Sequence, residues 1–128
     1  MSIKSNSLMF YLYIFVGGGL GSLLRYIITK ISDQTLLVNF PTGTFISNML
    51  ACLMLAILVV YFSAKSIHYS WIEPLLIIGF CGGFSTFSTF SNENFKLFDE
   101  GYIILPIVNM LISVTVGFLL IYFIRSKS

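Results

Sequence analysis

Charge is what this 128-residue chain has least of: 9% of its residues are Asp, Glu, Lys or Arg, and its one histidine stands at 68. A soluble domain carries about 25% charged residues, so too few are present to wet a globular surface. The 7 Lys and Arg outnumber the 5 Asp and Glu by a net +2, which is no footprint for nucleic acid. Cysteine is scarce as well. Cys52 and Cys81 both sit inside apolar runs, a setting for small core residues more than for a disulfide or a metal pair. No nucleophile–base pair, metal-ligand cluster or phosphate loop is present, so enzyme chemistry has nothing to work with. These absences exclude a soluble enzyme, a secreted disulfide scaffold, a disordered chain and a DNA binder. What is abundant is apolar surface: 57% of residues are hydrophobic, 16% aromatic, and the mean hydropathy is +0.95. That is the composition of an integral membrane protein.

A bilayer core of about 30 Å takes about 20 apolar residues of helix. Stretches near 8–28, 42–62, 74–95 and 102–124 meet this length. Polar breaks separate them: Lys30-Ile31-Ser32-Asp33-Gln34, Ser63-Ala64-Lys65-Ser66 and Asp99-Glu100-Gly101. Pro41 and Pro74 stand at helix starts, where a missing N–H costs nothing. The first stretch is too long and too glycine-rich for a cleaved leader, and it is expected to remain as a span. The sequence therefore predicts one all-α membrane domain over residues 1–128, with four transmembrane helices and short loops.

Four spans return both termini to one side. That side carries four basic residues, Lys4, Lys65, Arg125 and Lys127, against three on the other, Arg25, Lys30 and Lys96. Orientation normally follows a Lys/Arg excess in cytoplasmic loops, and the excess here is slight. Charge alone leaves two readings open. Either the chain inserts one way with weak bias, or it inserts both ways and opposite copies pair about a twofold axis in the membrane plane.

The third stretch is the unusual one. Gly82-Gly83 precedes five hydroxyl residues within the seven positions 85–91: Ser85, Thr86, Ser88, Thr89 and Ser91. The glycine pair invites a helix break mid-membrane, and a break leaves carbonyls that are tolerated only where protein, water or an ion satisfies them. Such oxygens suit a hard monovalent cation like Na⁺. The alternative is a glycine packing face whose hydroxyls bond back to the preceding turn. Phe87 and Phe90, three apart, share a helix face. They either pack a core or, alternating with hydroxyls, turn positive ring edges toward an anion. Weak, distributed donors of that kind suit conduction, because a tightly held ion does not leave.

Isolated polar residues mark the other spans. Asn48, in the second, and Asn109, in the fourth, are each interhelical glue or a pore donor; Ser113 shares the face of Asn109. Arg25 follows the run Gly17-Gly18-Gly19-Leu20-Gly21. It either snorkels to the interface or places positive potential at an anion vestibule. Glu93 closes the hydroxyl-rich segment, at a helix end near water or in a proton-linked or gating step. His68, the Lys30–Asp33 pair and the Asp99–Glu100 pair are read as solvated loop charge.

Arg25 after its glycines, the Pro-x-Gly-Thr approach to Asn48, and above all Gly82-Gly83-Phe84-Ser85-Thr86-Phe87-Ser88-Thr89-Phe90-Ser91-Asn92-Glu93 resemble the bacterial fluoride channel family (Fluc, CrcB-like). The resemblance covers the whole chain. It implies an antiparallel, dual-topology homodimer in the inner membrane, with two fluoride pores and a central structural sodium. It also implies passive fluoride export that protects the cell. Residue by residue, Phe87 and Phe90 resemble the pore phenylalanines and Asn48 the pore asparagine. Ser88, Thr89 and Glu93 match the polar track beside the pore, and Arg25 matches the vestibule arginine. The backbone carbonyls of Gly82 and Ser85 correspond to those that hold sodium. Aligning on Gly101 places Asn109 and Ser113 at pore-facing positions of the fourth helix. Ser47 departs from the apolar residue that precedes the asparagine elsewhere in the family. Some relatives work as obligate pairs of fixed-orientation chains; the presence here of both asparagine and phenylalanine sets favours the homodimer.

Two rivals remain. A small dual-topology, proton-coupled drug or guanidinium exporter needs a carboxylate deep in its first helix, yet the first two spans contain no Asp or Glu, which leaves only Glu93. A non-transporting membrane subunit would use Phe87 and Phe90 for packing alone.

Overall fold

Long apolar stretches with few interruptions make long helices, and among the described residues four helical spans are long and apolar enough to cross a membrane. The structure is a computed structural model. It describes the backbone of residues 3–35, 39–65 and 70–128 and the side chains of 7–35, 39–64 and 70–128. His68, Ser66 and the side chains of Lys4 and Lys65, read above as loop or flanking residues, lie outside these ranges.

Helix α1 (Ile3–Thr35) runs on through Lys30–Gln34, where a polar break is expected. None of those residues is glycine or proline, and Lys, Ile and Gln hold helical geometry well enough to carry it forward. Ser32 is buried on the inner face, and Thr35 Oγ1 donates back to the Ile31 carbonyl at 2.8 Å. Helix α2 (Thr42–Lys65) starts directly after Pro41, whose carbonyl accepts from the Phe45 N–H at 3.1 Å. The third span opens as a π-helical stretch, Glu73–Cys81, with Pro74 in its first turn, and tightens into one α turn, Gly82–Phe84. Together these form α3.

Ser85 (φ −81°, ψ 157°) and Thr86 (φ −152°, ψ 126°) are then extended, and helix resumes as α4 (Phe87–Asp99). The extended pair therefore lies just beyond Gly82-Gly83, the position at which the sequence predicts a break. Gly83 stays helical because it is pressed against α1: a Cβ there would run into the Gly18 carbonyl oxygen. At the end of α4, Gly101 adopts φ +95°. Its N–H donates to the Phe98 carbonyl (3.0 Å), and that of Tyr102 donates to Leu97 (2.9 Å). This double bond pattern closes a helix on a left-handed residue and needs glycine there. Helix α5 (Ile104–Ser126) completes the chain.

Helix α1 packs on α3 at backbone range. Added Cβ atoms at Gly17 and Gly21 would collide with the Leu75 and Phe80 carbonyl oxygens, and one at Gly79 would lie 2.9 Å from the Ile14 carbonyl oxygen. Both helices thus present glycines four apart, the small-xxx-small surface that lets membrane helices approach closely. On the other side, α2 packs on α5, and α4 leans on α5. The outer surface is apolar, with Phe15, Phe118 and Val114 largely exposed, whereas Ser32, Thr44, Ser47, Asn94 and Asn109 are buried. Apolar outside and polar inside is the arrangement a hydrocarbon solvent demands.

Candidate functional site

An interrupted helix must satisfy the backbone groups it frees. In a continuous helix the Thr86 N–H would donate to the Gly82 carbonyl. Here it donates to Asn48 Oδ1 at 2.7 Å, while Asn48 Nδ2 donates to the Thr86 carbonyl at 3.2 Å. One side-chain amide from α2 thus pairs with both polar groups of the extended residue, as a neighbouring β-strand would. The Thr89 N–H, which a continuous helix would give to the Ser85 carbonyl, donates instead to Thr86 Oγ1 at 3.2 Å, an N-cap of α4. The Gly83 carbonyl accepts from Arg25 Nε (3.2 Å) and Ser22 Oγ (3.4 Å) on α1. The carbonyls of Gly82, Phe84 and Ser85 are left without their helical donors.

Beside the extended pair, Phe87 and Phe90 lie 6.1 Å apart between centroids, tilted by 37°. Phe87 is 80% exposed on the single chain, whereas Phe90 is buried. With Asn48, Met49, Cys52, Ser85, Thr86, Ser113 and Val114 they line a cavity of about 250 Å³. A second cavity, of about 170 Å³, lies between Ala51, Cys52, Leu55, Ile77, Cys81, Gly82 and Ser85.

A row of polar contacts runs away from the first cavity. Ser113 Oγ donates to Asn109 Oδ1 (3.1 Å), and Asn109 Nδ2 donates to Asn94 Oδ1 (2.8 Å). Asn109 is 1% exposed, and Asn94 Nδ2 is buried without a partner. Thr44 Oγ1 donates to Glu93 Oε1 at 2.8 Å, leaving Glu93 Oε2 and Ser47 Oγ buried and unpartnered.

The structure brings Asn48, Ser85, Phe87, Phe90 and Ser113 to one cavity wall. The other sequence-predicted residues do not line that cavity. Thr89 serves the α4 cap through its backbone, and Ser88, exposed, lies 3.4 Å from Thr86 Oγ1. Glu93 faces Thr44, Asn109 sits behind Ser113, and Gly82 borders the second cavity. Arg25 reaches the break itself, so its Nε is spent on a structural bond.

A family model described as CrcB-like protein, Camphor Resistance (CrcB), matches residues 12–124. The chain is 37% identical over 105 residues to a Flavobacterium psychrophilum protein named Fluoride-specific ion channel FluC, covering 82% of this chain and 85% of that one. Identity is 42% over 114 residues with the protein of the same name from Phocaeicola vulgatus (83% and 93% covered). A Pyrococcus horikoshii protein, again of that name, is 41% identical over 110 residues (85% and 87% covered). The chain belongs to the CrcB-like family. It is accordingly a multi-pass membrane protein, not an enzyme.

In this CrcB-like chain, sequence reasoning passed over two polar residues of the interior, Thr44 and Asn94. Each had a signal. Thr44, Ser47, Asn48 and Ala51 fall at i, i+3, i+4 and i+7, one face of α2, and three of the four are buried. Asn94 lies in the buried stripe of α4, Phe90–Asn94–Leu97, where an amide among apolar neighbours requires a partner.

Proposed function

We propose that this chain is a fluoride-selective channel giving passive, electrodiffusive fluoride export that relieves fluoride toxicity in the inner membrane. The shared name of its relatives supplies the ion. The observation that carries the reading is the Asn48 clamp on Thr86, which holds an extended backbone step beside a ring-lined cavity. Fluoride is small and strongly hydrated, so crossing requires short donors in place of water. Asn48 keeps a second Nδ2 hydrogen after serving Thr86. The edges of Phe87 and Phe90 add positive potential, and among the described residues no Lys or Arg lines the cavity to trap the anion. Ser88, Thr89, Glu93, Asn109 and Ser113 continue the polar track. The Arg25 guanidinium keeps further N–H groups and its charge for a vestibule while its Nε holds Gly83.

The assembly is an antiparallel, dual-topology homodimer with two pores and the third span broken mid-membrane. Its support is the 80% exposure of Phe87, a pore residue that one chain leaves open, together with the near-balanced flanking charge. Sodium fits the remaining backbone. The Gly82 and Ser85 carbonyls have lost their helical donors to Asn48 and Thr86 side chains, and neutral carbonyl oxygens suit a hard monovalent cation. Bound there, sodium would supply a fixed charge that ties the break regions of two chains together.

The test is fluoride efflux from liposomes holding the purified protein, read by fluoride electrode and started with valinomycin in a K⁺ gradient, with chloride alongside. The expected result is fast, valinomycin-dependent fluoride release without chloride release, lost when all sodium is replaced during purification. Equal fluoride and chloride fluxes would overturn the selectivity. Well-folded dimer that releases neither ion would favour the non-transporting subunit.

A further inference from the structure

Asn94 touches neither the Phe87–Phe90 cavity nor the extended pair, yet it ends the only chain of side-chain hydrogen bonds that runs from that cavity into the protein among the described residues. Its partners fix a direction. Ser113 donates to Asn109 Oδ1, Asn109 Nδ2 donates to Asn94 Oδ1, and Asn94 Nδ2 has nothing to donate to. In this direction Ser113, the one member on the cavity wall, points its hydroxyl hydrogen inward and offers the cavity only oxygen lone pairs. An anion gains nothing from that.

The same heavy atoms support the opposite direction. If both amides turn over, Asn94 Nδ2 donates to Asn109 Oδ1, Asn109 Nδ2 donates to Ser113 Oγ, and the Ser113 hydroxyl is released to donate into the cavity. Each direction contains two internal bonds, so reversal sacrifices none. It exchanges one unpartnered Asn94 atom for the other and presents a new donor to whatever occupies the cavity. A buried amide with an idle N–H at the far end is what this reversal requires, and Asn94 supplies it.

We propose that Asn94 is a positioning residue of the pore: anion entry beside Phe87 and Phe90 reverses the Asn94–Asn109–Ser113 chain, which turns Ser113 from acceptor to donor. The proposal rests on the channel reading above. It acts through Ser113 alone, and this makes it separable from any structural duty of Asn94.

The test is a double-substitution cycle in the liposome assay. Ionised, Asn94→Asp leaves an acceptor-only group, which holds Asn109 Nδ2 and forbids the reversal, and the assay is run at alkaline pH to keep the buried carboxyl in that form. Ser113 can then serve the anion only by giving up its bond to Asn109. Fluoride flux is expected to fall about fivefold more in the wild-type background than in Ser113→Ala, the factor that one lost hydrogen bond represents. The added carboxylate charge acts on the anion in both backgrounds and cancels in the ratio. Equal losses in the two backgrounds would overturn the proposal, whereas wild-type protein without fluoride flux would overturn the channel reading instead. A measurement on unsubstituted protein covers the case in which Asn94→Asp does not assemble. The side-chain amide resonances of Asn94 in the dimer should shift on adding fluoride but not chloride, and stand still in Ser113→Ala. Resonances that ignore fluoride in the wild type would sink the idea.

Discussion

The α1–α3 contact and the α2–α4–α5 cluster hold helices together by opposite means. Where α1 meets α3, backbone lies on backbone: Gly17 and Gly21 face the Leu75 and Phe80 carbonyls, and Gly79 and Gly83 face Ile14 and Gly18. Across α2, α4 and α5, amides and hydroxyls do the joining: Asn48 to Thr86, Thr44 to Glu93, and Ser113 through Asn109 to Asn94. Lipid gives helices no hydrophobic reason to associate, so either close packing or hydrogen bonding must supply the attraction. The two differ in what they permit. A glycine seam has one solution and no adjustable atoms. A hydrogen-bond cluster can exchange donors and acceptors while its heavy atoms stay in place, which is what a passing ion needs. The cavity and the extended residues lie on the adjustable side, with the rigid seam behind them.

The strongest way to break this comparison is to fill the seam. Gly17→Leu forces a side chain into the Leu75 carbonyl, with the Phe80 amide nitrogen 2.9 Å from the new Cβ. Overpacking against backbone is expected to cost about 3 kcal/mol, enough to lose the monodisperse species on size exclusion in detergent. Gly19→Ala, with nothing within 4 Å of its Cβ, should change the melting temperature little. If both behave alike, the seam is not rigid.

A smaller effect separates stability from conduction within the adjustable half. Asn48→Leu orphans the Thr86 N–H and carbonyl and should cost about 2 kcal/mol together with all fluoride flux. Phe87→Ile, at a position exposed on the single chain, should leave that chain's own packing nearly unchanged, yet reduce flux by about tenfold as the ring edge is lost. Thermal unfolding in detergent paired with fluoride efflux checks both variants. Wild-type flux in folded Phe87→Ile would return that ring to packing.

How much of this was legible beforehand follows the same division. Span number could be read from the apolar runs, and Asn48 stood out as an amide inside one of them. The phenylalanine pair and the carbonyls of Gly82 and Ser85 were marked by the family resemblance and not by residue type alone. The site of the helix interruption could not be read. Glycine permits a break, but Asn48, thirty-eight residues away from Thr86, provides the bonds that stabilise extended backbone at residues 85 and 86. Gly83 meanwhile is kept helical by the seam. The length of α1 was hidden for a related reason: Lys30–Gln34 is polar, but nothing in it stops a helix, and polarity marks where a bilayer ends rather than where hydrogen bonding does. Asn94 and Thr44 were passed over because their importance is set by partners on other helices.

Arg25 sits where the two halves meet, and it sharpens the comparison at the smallest scale. Its Nε bond to the Gly83 carbonyl belongs to the seam, whereas in the proposed channel its charge serves the ion. Arg25→Lys separates these duties, because an ammonium keeps the charge but lacks the planar fork that directs Nε at the carbonyl. Loss of one charge-assisted bond, half-buried with Ser22 Oγ still in reach of Gly83, should cost about 1 kcal/mol, seen as a lower melting temperature. Fluoride flux should stay within about twofold, since potential at a vestibule depends on charge over a screening length of about 8 Å and little on which atom carries it. Arg25→Met should show the same fall in melting temperature with a clear further loss of flux. If Lys and Met variants conduct equally, the charge is idle and Arg25 serves only to hold the Gly83 carbonyl at the end of the glycine seam.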